Sequence, residues 1–421
     1  MRMNNRMTRR GLLAGSAAAV GAGWGVGLLG SRPALADAGT PKNLIIVNAV
    51  GGWDTTYTID PKPGLSTIDA PADGDVREIG GIPILDAATR PSVAGYFEDF
   101  ASITTVVNGL QTSSISHTSG YRRIMTGTTS LDAPDIGTIA AIEHGSDLAA
   151  PYLVLGTVSF SGPYASAVTR TGNLNQINTL IEPAAGFPME DGTFGFERFL
   201  MVEDEQSLVQ DYVREQAQRG RERWRGIGRN AQRGADFENA IGRADQLVDI
   251  GALGDLDYAQ SFGLQVDLAI QALSLGTSAA CQIELSGWDT HANNSEQAFY
   301  WEELFAQLRR LVQGLEVAGL MEDTVVAVVS EMGRTPKLNG DAGKDHWPVT
   351  SAMLIGTDIG GGRVLGATDD EFGGRNVDLE TGNLDGDGSP LRHGNFAAGV
   401  LEEVGVDPAA YLGSSNPLRG F

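Results

Sequence analysis

The sequence predicts an α/β protein with a mostly parallel sheet and helices on both faces. Two observations carry this expectation. Six apolar runs of strand length, at 43–50, 103–110, 152–158, 279–285, 324–330 and 351–357, alternate with helical patterns along the chain. Several of these runs end in, or begin just after, clusters of acidic residues and histidine, and an open α/β sheet binds ligands at the carboxyl edge of its strands.

The run "TVVAVVS" at 324–330 is continuously apolar and β-branched, as suits a strand buried on both faces. The run "AACQIEL" at 279–285 reads the same way, with Cys281 as a small core residue. Helical patterns fall at 91–100, 118–126, 135–147, 257–276 and 295–318, with a C-terminal helix near 394–405. In 295–318, Phe299, Leu304, Leu308, Leu311 and Leu315 recur at roughly helical spacing and read as core contact rather than a binding face. Segment 203–250 is charged and light in β-branched residues, so it reads as a helical excursion, either a cap over a site or a solvated pair. Residues 358–395 are rich in Gly and Asp and read as extended surface loop.

The N-terminus combines the twin arginine Arg9–Arg10, an uncharged Gly/Ala/Leu-rich run to about Gly30, and the small-residue site Ala34-Leu35-Ala36. That is the pattern of a removable twin-arginine (Tat) export signal over 1–36, and it predicts a periplasmic or secreted protein with the Tat machinery as a partner. The alternative is a single membrane anchor, and the glycine content and weak hydrophobicity of the run argue against stable spanning. Residues 37–421 then form one large domain.

Five arginines, Arg2, Arg6, Arg9, Arg10 and Arg32, lie in that leader, so a net charge of −23 becomes −28 without it (25 Lys and Arg against 53 Asp and Glu). So acidic a chain is not expected to bind nucleic acid. With one cysteine there is no disulfide framework, and stability must come from a large core.

Four elements carry chemistry. "VNAVGGWDTT" brings Asp54 to the end of a strand, as a metal ligand or as an Asx turn. "SSISHTSGYRR" places His117, Thr118 and Ser119 before a short helix that carries Arg122 and Arg123, an arrangement suited to an anion or to an ordinary N-cap. In "GWDTH", Asp289 and His291 are two apart, so an extended backbone points both to one side, toward one metal ion. "SEMGRTP…GKDHW" supplies Glu331, Arg334, Asp345 and His346 around the next strand. Imidazole with carboxylate suits zinc and other divalent transition metals. Trp53, Trp288 and Trp347 neighbour these clusters, as an aromatic wall for a substrate or as core.

"GWDTHANN", "SEMGRTPKLNGDAGKDHWP" and the Tat leader resemble the exported domain-of-unknown-function-1501 family, itself similar to the alkaline phosphatase and sulfatase superfamily. The resemblance implies an alkaline-phosphatase-like α/β/α sandwich. It implies metal at the strand ends and a nucleophile at a helix N-terminus. Counting back from Thr126-Gly127 puts His117 at the nucleophile position, as nucleophile or metal ligand, flanked by Ser116 and Thr118. Asp54, Asp289, His291, Glu331 and His346 take metal-ligand positions, and Met332 replaces a ligand histidine, so one ion is expected rather than two. Zinc is the first candidate, with manganese, iron or calcium as alternatives, and Arg122, Arg123 or Arg334 would meet an anionic group.

The expected function is therefore an exported metal-dependent hydrolase of a phosphate or sulfate ester, acting on a small molecule or polymer. The alternatives are a catalytically degenerate binding protein and a component of a surface assembly.

Overall fold

The computed structural model describes residues 41–170, 203–250, 261–413 and 416–421. The expected leader, and the first residues of the expected 257–276 helix, lie outside these. No helix among the described residues is long and apolar enough to cross a membrane.

Eight strands form the central sheet: β1 (Asn43–Val50), β2 (Thr104–Gln111), β3 (Tyr152–Val154), β4 (Val168–Arg170), β5 (Ala280–Ser286), β6 (Thr324–Val329), β7 (Val349–Ile355) and β8 (Arg363–Leu365). Their order is β8-β2-β7-β6-β1-β5-β3-β4. The central strand β1 runs parallel to β5 on one side, with Val50 opposite Ser286, and parallel to β6 on the other, with Asn48 opposite Val329. Strand β7 alone is antiparallel to its neighbours β2 and β6. Its amino end therefore lies at the edge where β1, β2, β5 and β6 finish.

Strand β1 shows why the sheet is buried on both faces. Ile45, Val47 and Ala49 enter one core cluster with Phe97, Trp301 and Leu308. Leu44 and Ile46 enter the other with Ile124, Ile139 and Phe396. Alternate side chains point to opposite faces of a strand, so a continuous apolar run fills two cores. Helices α1 (Pro91–Phe100), α6 (Phe262–Ser274) and α7 (Gln297–Ala318) cover the first face. Helices α2 (His117–Thr126), α3 (Ile136–His144) and α8 (His393–Glu403) cover the second. Helices α4 (Glu203–Arg223) and α5 (Gly228–Ile250) pack on each other as a hairpin.

Expected and observed elements agree to within a few residues, except that the third strand stops at Val154. The Gly/Asp-rich stretch contributes β8 to the sheet rather than being loop throughout. A hairpin of Asp75–Ile79 and Ile82–Asp86 went unread; its turn, Gly80-Gly81, has positive φ at both residues (58° and 88°), the geometry a two-residue hairpin favours. Cys281 is fully buried, and burial pushes its thiol up to about 12, as fits a core residue.

Candidate metal centre

Four short segments from three connections meet at the carboxyl edge of the sheet. Asp289 and His291 follow β5, Glu331 follows β6, His346 precedes the antiparallel β7, and His117 opens α2 after β2. The approach is close. Gly51, directly after β1, has φ +126°, and a Cβ there would stand 2.5 Å from the Asp289 backbone nitrogen. Gly120 is equally constrained, since its Cβ would stand 2.6 Å from the Glu331 carbonyl oxygen. This lets the first turn of α2 lie against the end of β6.

His117, Asp289 and His346 offer ligand atoms within 4.8 Å of one another. His291 stands beside this group. Its Nε2 is 3.0 Å from His346 Nε2 and 3.2 Å from Asp289 Oδ1, while His346 Nε2 is 3.1 Å from that same oxygen. His117 Nε2 stands 3.5 Å from Asp289 Oδ2.

Each imidazole is held from behind through Nδ1. His117 Nδ1 donates to Glu331 Oε1 at 2.7 Å, His291 Nδ1 to Asp345 Oδ1 at 3.1 Å, and His346 Nδ1 to the Ile115 carbonyl at 2.7 Å. These partners are carbonyl or carboxylate oxygens, so the proton belongs on Nδ1 and the Nε2 lone pair faces the centre. Outer hydrogen bonds of this kind fix metal-ligating histidines.

Asp289 is fixed by Arg334. The guanidinium is fully buried and donates to Asp289 Oδ1 (2.6 Å), to the Gly52 carbonyl (2.8 Å), to the Lys344 carbonyl (3.0 Å) and to the Gly51 carbonyl. Partial burial alone would raise the Asp289 pKa, but the hydrogen bond from Arg334 and its positive charge bring it down to about 2. For His117, the Glu331 hydrogen bond raises the imidazole pKa against the opposing effect of burial.

The structure separates the remaining sequence candidates from the centre. Glu331 is fully buried and accepts from Gly51 N (2.9 Å) as well as from His117, so it stands behind a histidine. Asp54 is also fully buried. Its Oδ1 accepts from Thr56 N and Oγ1, and its Oδ2 accepts from Asn294 Nδ2 at 2.8 Å. Lys344 Nζ lies 2.7 Å from Asp54 Oδ2, with both side chains fully buried. The ammonium has no well-directed hydrogen bond, so the contact is an ion pair. Asp54 thus closes a turn, as the Asx alternative expected, and its charge is met by a lysine no sequence signal marked.

Arg122 and Arg123 also have structural partners. Arg122 donates to the Leu131 carbonyl at 3.1 Å and lies over Phe160, and Arg123 donates to the Thr112 carbonyl at 2.9 Å and to that of Ser113. Ser116 and Thr118 are exposed, and Ser116 makes no side-chain capping bond. Trp53 and Trp288 are fully buried with Trp301 in a ring cluster under the site, so they are core; Met332 is buried as well. Trp347 is half-buried, with its indole N–H on the Phe372 carbonyl.

An eight-stranded mixed sheet flanked by helices, with histidines and an aspartate gathered at one edge, defines an α/β protein with a candidate metal centre at its strand ends. The chain belongs to the DUF1501 family of proteins of unknown function, whose model matches residues 41–411. No protein of curated function matches it by sequence. Among solved structures it is similar to a protein in the alkaline phosphatase superfamily from Vibrio parahaemolyticus, with 10% identity over 87% of this chain and 67% of that one and a TM-score of 0.36. It is also similar to the lipoteichoic acid synthase LtaP from Listeria monocytogenes (11% identity, 91% of this chain and 75% of that one, TM-score 0.39). A third is the phosphonate monoester hydrolase SpPMH from Silicibacter pomeroyi (12% identity, 90% and 76%, TM-score 0.36). The likeness concerns the fold.

Proposed function

We propose that the cluster is the single-metal centre of a hydrolase acting on phosphate or sulfate esters, in a domain of residues 37–421 exported through a Tat leader to the periplasm or beyond. The observation that carries the metal reading is the convergence of three Nε2 lone pairs on one carboxylate. Two ligands about 2.0–2.1 Å from a tetrahedral ion stand about 3.4 Å apart, close to the separations of 3.0, 3.1, 3.2 and 3.5 Å found here. Two bare lone pairs 3.0 Å apart repel unless a cation or an additional proton lies between them. Three nitrogens and one carboxylate favour zinc, manganese or iron over calcium, which takes oxygen ligands.

When bound, the ion would polarise an ester oxygen and lower the pKa of a nucleophile. The chain's own residues orient that centre. Glu331, Asp345 and the Ile115 carbonyl hold the rings, Arg334 holds Asp289, and Ser116 and Thr118 offer hydroxyls at the N-terminus of α2. His117 is assigned as a ligand, because its Nε2 faces Asp289. A second reading, an ion-holding protein without turnover, is favoured by one observation: Arg122, Arg123 and Arg334 are all committed to protein oxygens.

The test is elemental analysis of the purified protein beside an Asp289→Ala/His346→Ala double variant, followed by hydrolysis of aryl phosphates and sulfates. Near-stoichiometric metal that the variant loses, with ester hydrolysis that Ser116→Ala or Thr118→Ala abolishes while metal stays, supports the hydrolase and names its nucleophile. Metal without hydrolysis supports the second reading. Native protein that stays metal-free after expression with metal supplied overturns both.

A further inference from the structure

The tip of the α4–α5 hairpin carries a charge opposite to that of the whole molecule. The chain is −23 overall, yet residues 214–233 hold seven arginines and only Glu215 and Glu222. Arg219 pairs with Glu215, Arg221 pairs with Glu238, and Arg223 lies over the Trp224 ring at 5.2 Å. Arg225, Arg229 and Arg233 form no ion pair among the described residues and are exposed. Residues 221–229 are exposed without a break, and apolar side chains stand among the arginines: Trp224 is 36% exposed and Ile227 53%.

The hairpin is tied to the rest of the domain near its other end. Arg243 of α5 donates to the carbonyls of Ser146 (2.7 Å) and Ser166, ahead of β3 and β4. From Arg243 back to the first residue of α5 is roughly 22 Å at 1.5 Å per residue. That is more than twice the screening length of about 8 Å at physiological salt. With seven arginines against two glutamates over 214–233, the local charge of the tip is positive although the domain as a whole is acidic.

We propose that this tip docks the protein peripherally on an anionic lipid bilayer, with the arginines on headgroup phosphates and Trp224 and Ile227 entering the interface. Charge complementarity selects an anionic partner. The exposed indole and isoleucine in the turn select a surface with an apolar interior beneath its charge, because a purely polar polyanion gives Ile227 nothing to bury in. Two glycines, Gly226 (φ +75°) and Gly228 (φ +45°), bracket Ile227 and form the turn that puts it at the apex.

The test is vesicle co-sedimentation of the full chain, with one batch of neutral phosphatidylcholine vesicles and one containing 30% phosphatidylglycerol by design. Arg225→Glu/Arg229→Glu and Trp224→Ser/Ile227→Ser variants carry the same first 40 residues, so differences between chains read the hairpin alone. These positions are exposed, and matching thermal melts would confirm intact folding. Binding to the anionic vesicles that weakens on the order of tenfold or more in each variant, and with added salt, supports the proposal. Equal binding by all three chains, or loss in the charge variant alone, overturns lipid docking. So does a tip that binds soluble anionic polysaccharide but no vesicles, or one whose charge reversal dissociates a dimer in light scattering.

Discussion

His291 and His346 face each other through Nε2 atoms 3.0 Å apart, each ring fixed by an oxygen acceptor on its Nδ1. The residues lie 55 apart in sequence, one after the parallel strand β5 and the other before the antiparallel strand β7. Removing either ring should leave too few ligands for tight binding. His291→Ala and His346→Ala should each purify with little metal. Asp345→Ala, which removes the acceptor on the outer nitrogen of His291 and a contact to Asn339, should weaken affinity by about 10–100-fold. A competition titration against a chromophoric chelator reads both effects. Unchanged affinity in Asp345→Ala would show that Asp345 does not set the His291 tautomer.

Arg334→Ala should destabilise the fold by about 3–5 kcal/mol, because it strands three buried carbonyls and the Asp289 carboxylate. Arg334→Lys should restore little of the loss, since one ammonium cannot reach contacts made from three guanidinium nitrogens. Urea unfolding of both variants beside the native chain measures this, and a lysine variant of native stability would contradict it.

Gly120→Ala would normally favour a helix, yet here its Cβ would meet the Glu331 carbonyl oxygen at 2.6 Å and the Glu331 Cβ at 3.2 Å. The first turn of α2 must move, taking His117 with it. We expect a net loss of about 1–3 kcal/mol from the overlap and a drop in metal affinity. Gly95→Ala, whose Cβ would find its nearest neighbour at 3.8 Å, is the control and should do neither.

Asp135 caps α3, accepting from Thr138 N and Phe160 N at 2.7 Å each, and its complete burial raises its pKa from 3.8 to about 6. Between those values the folded chain holds this proton more firmly than the unfolded chain does. The contribution is therefore present at low pH and is lost as pH rises through that window. Chemical unfolding at pH 4, 5, 6 and 7 should show a smaller fall in stability for Asp135→Asn than for the native chain. Parallel profiles would rule out this titration as a contributor.

The α/β class, six of the eight sheet strands and most of the helices were legible because apolar periodicity is local. So were Asp289 and His291, since two residues of spacing on an extended backbone place both side chains on one side. His346 was legible as a candidate, but why it belongs was not. It precedes its strand, and only the reversed direction of β7 brings that strand's amino end to the carboxyl edge of its neighbours.

Asp54 and Glu331 looked like ligands for the same local reason as Asp289, a carboxylate just past an apolar strand. In the folded chain both carboxylates have protein partners. Lys344, 290 positions along the chain, meets the Asp54 charge, and His117 takes the Glu331 carboxylate. Arg334 likewise has the composition of an anion-binding residue until the sheet edge closes three carbonyls around it. Residue order along the chain dictates which residue types stand at the strand ends. Which of those charges pair with one another, and which lone pairs remain facing a common point, depends on burial and on contacts between segments far apart in the chain.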